Sequence, residues 1–215
     1  MQVTLTFDNG PEPAVTGRVL DILETTRVKA TFFVLGSKLA DRKRRALAKR
    51  AHAEGHWIGN HTWSHNAPLG DTLDPEVAER EIARTQSELG PLAHEHRFFR
   101  PYAGGGGTIS RRLLSPSAVD LLILGRYSCV LWNAVPKDWE DPDGWVETAL
   151  GQCRSQAWSL VVLHDLPTGA MKHLARFLDT VADAGGLFHQ EFPLDCMPIR
   201  CGDIVAPLEP YLTPR

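Results

Sequence analysis

Seven short apolar runs, separated by longer stretches of helical period, constrain this 215-residue chain more than any other feature. The runs are QVTLTFD (2–8), KATFFVLG (29–36), HWIGNH (56–61), HRFFRP (96–101), RYSCVLWN (126–133), SLVVLHD (159–165) and GLFHQEF (186–192). Between them helices are predicted over 15–25, 38–54, 75–89, 115–124, 143–156 and 170–184, with Asp74-Pro75 as an N-cap and first-turn proline and Gly185-Gly186 as a stop. Strands alternating with helices in this way build repeated β-α units around a parallel sheet. Periodicity does not choose between a closed barrel and an open doubly wound sheet, but both put function at the carboxyl ends of the strands.

The length suits one domain spanning 1–215, and the proline-rich stretch 192–215, which has no clear period, is expected to be a packed irregular extension. A net charge of -3 gives no field for holding polyanions, which argues against nucleic acid and for a small or neutral substrate. No apolar run reaches the roughly 18 residues of a membrane span. No leader pattern opens the sequence either, so a cytoplasmic location is expected. Cys129, Cys153, Cys196 and Cys201 contain no CxxC pair and are expected to be reduced thiols; in an oxidising compartment Cys196 and Cys201 would be the pair to suspect. The basic run DRKRR (41–45) is expected on a solvated helix face.

The strand-end rule picks out Asp8, His61, Arg100, Asn133 and His164, which close the first, third, fourth, fifth and sixth runs and are expected to converge on one rim. In HTWSH, His61 and His65 share a face if the segment is helical. Two imidazoles there form a bidentate grip on a divalent ion, or else they are ordinary satisfied or exposed histidines. In TFDNGP, Asp8 ends a strand beside Asn9-Gly10, itself a common turn dipeptide. In LHD, His164 closes a run so apolar that its end must surface, and with Asp8 it forms a possible acid-base pair.

TFDNGP, HTWSH, FRPY (99–102), DW (138–139) and LHD occur in the order and approximate spacing of five motifs of the polysaccharide deacetylases. Over residues 4–165 the chain therefore resembles that family, the NodB-homology group of carbohydrate esterase family 4. The resemblance implies a single-domain α/β fold of the distorted (β/α)7 barrel type and metal-assisted hydrolysis of an N-acetyl group on an amino sugar. It implies Asp8 as general base, His164 as general acid, and Asn9, His61 and His65 as ligands of a divalent ion, zinc by expectation. It further implies that Arg100 tunes the base with Asp138 as its partner, that Trp139 lines the acetyl pocket, and that the Tyr102 N–H helps hold the oxyanion.

Three departures bear on this. Asn9 stands where the family usually has Asp; it keeps a carbonyl oxygen for coordination but removes a negative charge, leaving a metal-poor or metal-free amidase of small amides as an alternative. RPYAGGGG (100–107) has one residue fewer between Arg and Tyr than the common form and then a glycine run suited to a mobile lid or narrow pocket floor. Asn133 stands where an acid is expected, while Trp132, Trp139 and Trp145 form either a sugar-stacking wall or core. A barrel that binds sugar without cleaving it is the third alternative.

Overall fold

The computed structural model describes residues 1–214. Its strands are β1 (Gln2–Asp8), β2 (Thr31–Val34), β3 (Trp57–Asn60), β4 (Phe98–Phe99), β5 (Ser128–Cys129), β6 (Trp158–His164), β7 (Leu187–His189), β8 (Ile199–Arg200) and β9 (Asp203–Ile204). Its helices are α1 (Thr16–Thr26), α2 (Arg42–Ala53), α3 (Pro75–Ala78), α4 (Arg84–Leu89), α5 (Pro116–Leu124), α6 (Trp145–Arg154) and α7 (Leu174–Asp183). All seven predicted strands are present: β1 keeps its predicted bounds, β6 is shifted by one residue toward the N-terminus, and the other five are shorter than predicted. The stretch expected to be an irregular extension adds β8 and β9, a two-stranded hairpin whose short strands carry no period that a sequence could reveal.

The chain folds as two compact units, each assembled from separate stretches of sequence. The first comprises Met1–Phe32, Asp41–Trp57 and Trp132–Pro193. Here β1 pairs in parallel with β6 along its whole length and with β7 at its start. Residues 3–8 of β1 are all buried, as expected of a strand covered on both faces. Thr16, Val19, Leu20 and Leu23 form the buried stripe of α1, and Leu174, Phe177, Leu178 and Val181 that of α7; the shared i, i+3, i+4, i+7 spacing is why these segments are amphipathic helices. On α2 only Ala48 and Ala51 are buried. Its basic side chains lie outside, Arg44 paired with Glu12 at 2.9 Å and Arg50 with Asp21 at 2.7 Å.

The second unit comprises Phe33–Ala40, Ile58–Leu131 and Leu194–Arg215. Its strands run β3-β4-β5-β8-β9. The first two pairings are parallel and the last two antiparallel, so the sheet is mixed where repeated β-α units alone predict parallel strands. The segment predicted as one helix over 75–89 is three pieces, because a π turn at Glu79–Ala83 separates α3 from α4. Asp74 caps α3 as expected, accepting from the Glu76 N–H at 3.0 Å, with Pro75 following.

Trp132 is only 7% exposed and Trp145 is fully buried, which resolves the tryptophan alternatives toward core for both. Trp145 packs near Phe177, ring centroids 5.4 Å apart, and donates from Nε1 to the Ala170 carbonyl at 2.9 Å. Trp145→Ala is expected to lower unfolding stability by about 3–5 kcal/mol, and Trp145→Phe, which keeps most of the ring but strands that carbonyl, by roughly 1–3 kcal/mol, both read from urea denaturation midpoints.

Candidate active site

In the first unit, the β1–β6 register sets Asp8 directly beside His164, each the last residue of its strand. Neighbouring strands lie about 4.8 Å apart and paired residues point to the same face. Both residues are buried, at 4% and 9% exposure. Asp138 is wholly buried and turns both oxygens on His164: Oδ2 accepts from the backbone N–H at 3.0 Å and Oδ1 from ring Nδ1 at 2.8 Å. Because an ionised carboxylate can only accept, Nδ1 carries the hydrogen and Nε2 is the ring's working end. Trp139 closes edge-on over the same imidazole, centroids 4.7 Å apart at 79°.

Burial alone would push the His164 pKa down. The Asp138 hydrogen bond and the charges of Asp138, Asp8 and Asp165 outweigh it, so the pKa stands above its ordinary value. Asp138, expected from the sequence as a partner of Arg100, is the residue that orients His164 and raises its pKa.

Asn9 follows Asp8 in the left-handed region (φ 72°), a conformation that Asn tolerates better than most residues. Its Oδ1 is buried without a hydrogen-bond partner. The loop it opens is tied down by Asp165, a wholly buried residue for which the sequence motifs predict no role. The Thr16 hydroxyl donates to Asp165 Oδ2 and accepts from the Glu12 N–H. A Cβ on Gly10 would overlap the Asp165 carboxylate, which accounts for glycine there. Asn133, expected at the rim, is instead a staple: Nδ2 donates to the Trp158 carbonyl and Oδ1 accepts from the Leu160 N–H, at 3.0 and 2.7 Å.

In the second unit, His61 follows β3 and Arg100 follows β4. His61 Nδ1 lies 2.9 Å from the Arg100 carbonyl, which can only accept. The hydrogen is therefore on Nδ1 and the lone pair on Nε2, the arrangement in which a histidine ligates a metal. The HTWSH segment is not helical. Left-handed residues at Thr62 (φ 69°) and His65 (φ 56°) curl it, bringing the two imidazole centroids to 4.8 Å. The Tyr102 ring lies against His65 at 3.7 Å, so the shortened third motif brings an aromatic to this pair. Arg100 is wholly buried, donating to the Val130 and Leu131 carbonyls at 3.3 and 3.2 Å with its guanidinium 4.1 Å from the Phe33 ring.

Among the described residues no group of three or more His, Cys, Asp or Glu side chains could hold a metal ion. The orphaned buried oxygen of Asn9 in the first unit and the Nε2 lone pair of His61 in the second are each neutral donors of a kind that ligates a divalent cation.

The native His164, raised in pKa, stabilises the fold fully below its ordinary pKa of about 6.5 and loses that contribution as pH rises through the raised value. NMR titration of the imidazole is expected to give a native pKa above 6.5. In Asp138→Asn the largest raising influence is lost, so the pKa should fall from its native value and the alkaline loss of stability should diminish.

Residues 1–116 match the family model described as polysaccharide deacetylase. The chitooligosaccharide deacetylase of Rhizobium leguminosarum bv. trifolii is 36% identical over 169 residues, 76% of this chain and 71% of its own length. The solved Bc1960 peptidoglycan N-acetylglucosamine deacetylase is 30% identical with a TM-score of 0.70, covering 88% of this chain and 85% of its own. A family 4 acetyl xylan esterase from Clostridium thermocellum, in complex with a cobalt ion, is 28% identical with a TM-score of 0.70 over 88% of both chains. The fold is that of the family 4 carbohydrate esterases. The chain is a hydrolase of non-peptide carbon–nitrogen bonds and belongs to the polysaccharide deacetylase family.

Proposed function

We propose that this chain hydrolyses the N-acetyl group of an N-acetylglucosamine-containing oligosaccharide or glycan, releasing acetate and a free amine. The observation that carries the reading is His164, buried, hydrogen-bonded by Asp138 with its pKa raised, at the end of the strand beside Asp8. The names of the relatives support the substrate: they act on chitooligosaccharides and on peptidoglycan N-acetylglucosamine.

Amide hydrolysis needs an activated water, a sink for the oxyanion and a proton for a poor amine leaving group. Asp8 takes the proton from water as its oxygen bonds to the acetyl carbon. The Tyr102 N–H donates to the oxyanion, and Trp139 walls the acetyl group. His164 Nε2 delivers a proton to the nitrogen as the carbon–nitrogen bond breaks. The resemblance to the family assigns Arg100 to tuning Asp8. Asn9, His61 and His65 would hold a divalent ion, zinc in our assignment, which would supply Lewis-acid polarisation of the acetyl carbonyl and of the attacking water. No helix among the described residues is long and apolar enough to cross a membrane.

Asn9 favours a second reading, hydrolysis of small amides with little or no metal, because it leaves the donor set without a carboxylate. Acetate release from N-acetylglucosamine oligomers, assayed after chelation and after adding back zinc or cobalt, separates the two. Ion-dependent release is expected, with His164→Asn lowering kcat by about 10²–10⁴-fold. Asn9→Asp is expected to tighten ion binding by about tenfold, through one added ligand charge. Chelator-resistant release that survives a His61→Ala, His65→Ala double substitution would establish the metal-free reading instead.

A further inference from the structure

The HTWSH segment holds an irregular conformation that both local and distant partners fix. Two of its five residues are left-handed, a strained state for residues other than glycine that persists only where the surroundings enforce it. Its backbone is held almost group by group. The Thr62 and Trp63 carbonyls accept from the N–H groups of Gly36 and Ser37 at 3.0 and 3.2 Å. The Thr62 N–H donates to Asn60 Oδ1 at 3.0 Å, and the His65 N–H to Thr62 Oγ1 at 3.2 Å. The donors between them, Trp63 N–H and Ser64 N–H, converge on one atom, Glu81 Oε2, at 3.0 and 2.8 Å, while Ser64 Oγ donates to Oε1 at 2.8 Å.

Glu81 sits in the π turn that interrupts the predicted helix. Such a turn inserts a residue and disturbs the regular hydrogen-bond ladder, and these turns recur at functional sites. Here the next residue, Ile82, offers its carbonyl to Asn60 Nδ2 at 2.9 Å, so side chain and backbone of one turn grip the loop and the strand end that leads into it. Just beyond, the Arg84 guanidinium covers the Trp63 ring at 3.5 Å.

We infer that Glu81 is a positioning residue: its carboxylate, set by the π turn, holds the Trp63–Ser64 peptide and so aims the imidazoles of His61 and His65. It acts on the loop backbone and takes no part in proton transfer. The inference rests on the metal reading under Proposed function only for its consequence, that loss of Glu81 weakens ion binding. Groups that orient metal ligands from behind typically change affinity 10–100-fold when removed. Glutamine keeps a carbonyl acceptor for both N–H groups and an amide that can donate to the Ser64 hydroxyl, whereas alanine leaves both backbone donors unpaired.

The test compares the unsubstituted protein, Glu81→Gln and Glu81→Ala, first metal-free by amide hydrogen exchange and then by Co²⁺ titration. Leu122→Ala, a buried change in α5, controls for loss of stability alone. Glu81→Ala is expected to speed exchange at Trp63 and Ser64 by at least about tenfold and to weaken Co²⁺ binding about 10–100-fold. Glu81→Gln and Leu122→Ala are expected to stay within about threefold of the unsubstituted protein in Co²⁺ affinity. Protected amides in Glu81→Ala, or fast exchange with unchanged Co²⁺ affinity, would overturn the inference. If the unsubstituted protein bound no Co²⁺, the metal reading would fall, and the exchange data would still decide whether Glu81 holds the loop.

Discussion

Asp138 is a carboxylate with no exposure to water, and everything at the carboxyl ends of β1 and β6 is arranged around its pairing with His164. A buried charge is tolerated only when partnered, and stripping one partner from such a pair costs of order 3–5 kcal/mol. The pairing has three consequences. It satisfies both Asp138 oxygens, fixes which imidazole nitrogen faces outward, and raises the ring's pKa against the burial that would lower it. With Asp8 set beside it by strand register, one end of the sheet carries a carboxyl group and an imidazole in adjacent positions, the pair proposed above as base and acid.

The candidate metal donors work differently. Under the metal reading proposed above, Asn9, His61 and His65 would bring no formal charge, so an ion held by them would keep more of its positive field for the acetyl carbonyl and the attacking water and would bind more weakly than beside a carboxylate. Weak binding leaves the geometry of the histidine loop with more influence over affinity. That loop is fixed from behind by the π turn, whose Glu81 and Ile82 supply the carboxylate and the carbonyl that hold it.

The strands are legible in the sequence because short apolar runs are a strong signal, and two of the residues expected at their ends are there: Asp8 and His164 terminate paired strands. The same rule misplaces Asn133, because β5 ends at Cys129 and the residues after it turn to staple β6. The spacing of four in HTWSH suggests a helix, while the close approach of its imidazoles comes from two left-handed residues that no periodicity encodes. Glu81 and Asp165 are invisible for a related reason. Each acts on backbone or hydroxyl groups distant in sequence, and a lone acid on a helix or after a histidine looks like any other until its partners are placed. The π turn that positions Glu81 has no compositional mark beyond an ordinary amphipathic stretch, and β8 and β9 are too short to show one.

The central claim is that a His164 kept protonated by Asp138 gives up the proton that releases the amine. It is tested most directly by the pH dependence of kcat/KM for an N-acetylglucosamine oligomer, measured for the unsubstituted protein and for Asp138→Asn. The account predicts an alkaline limb above pH ~6.5, at the His164 pKa, which moves to lower pH in Asp138→Asn as burial takes over. An alkaline limb at the same pH in both proteins would contradict it.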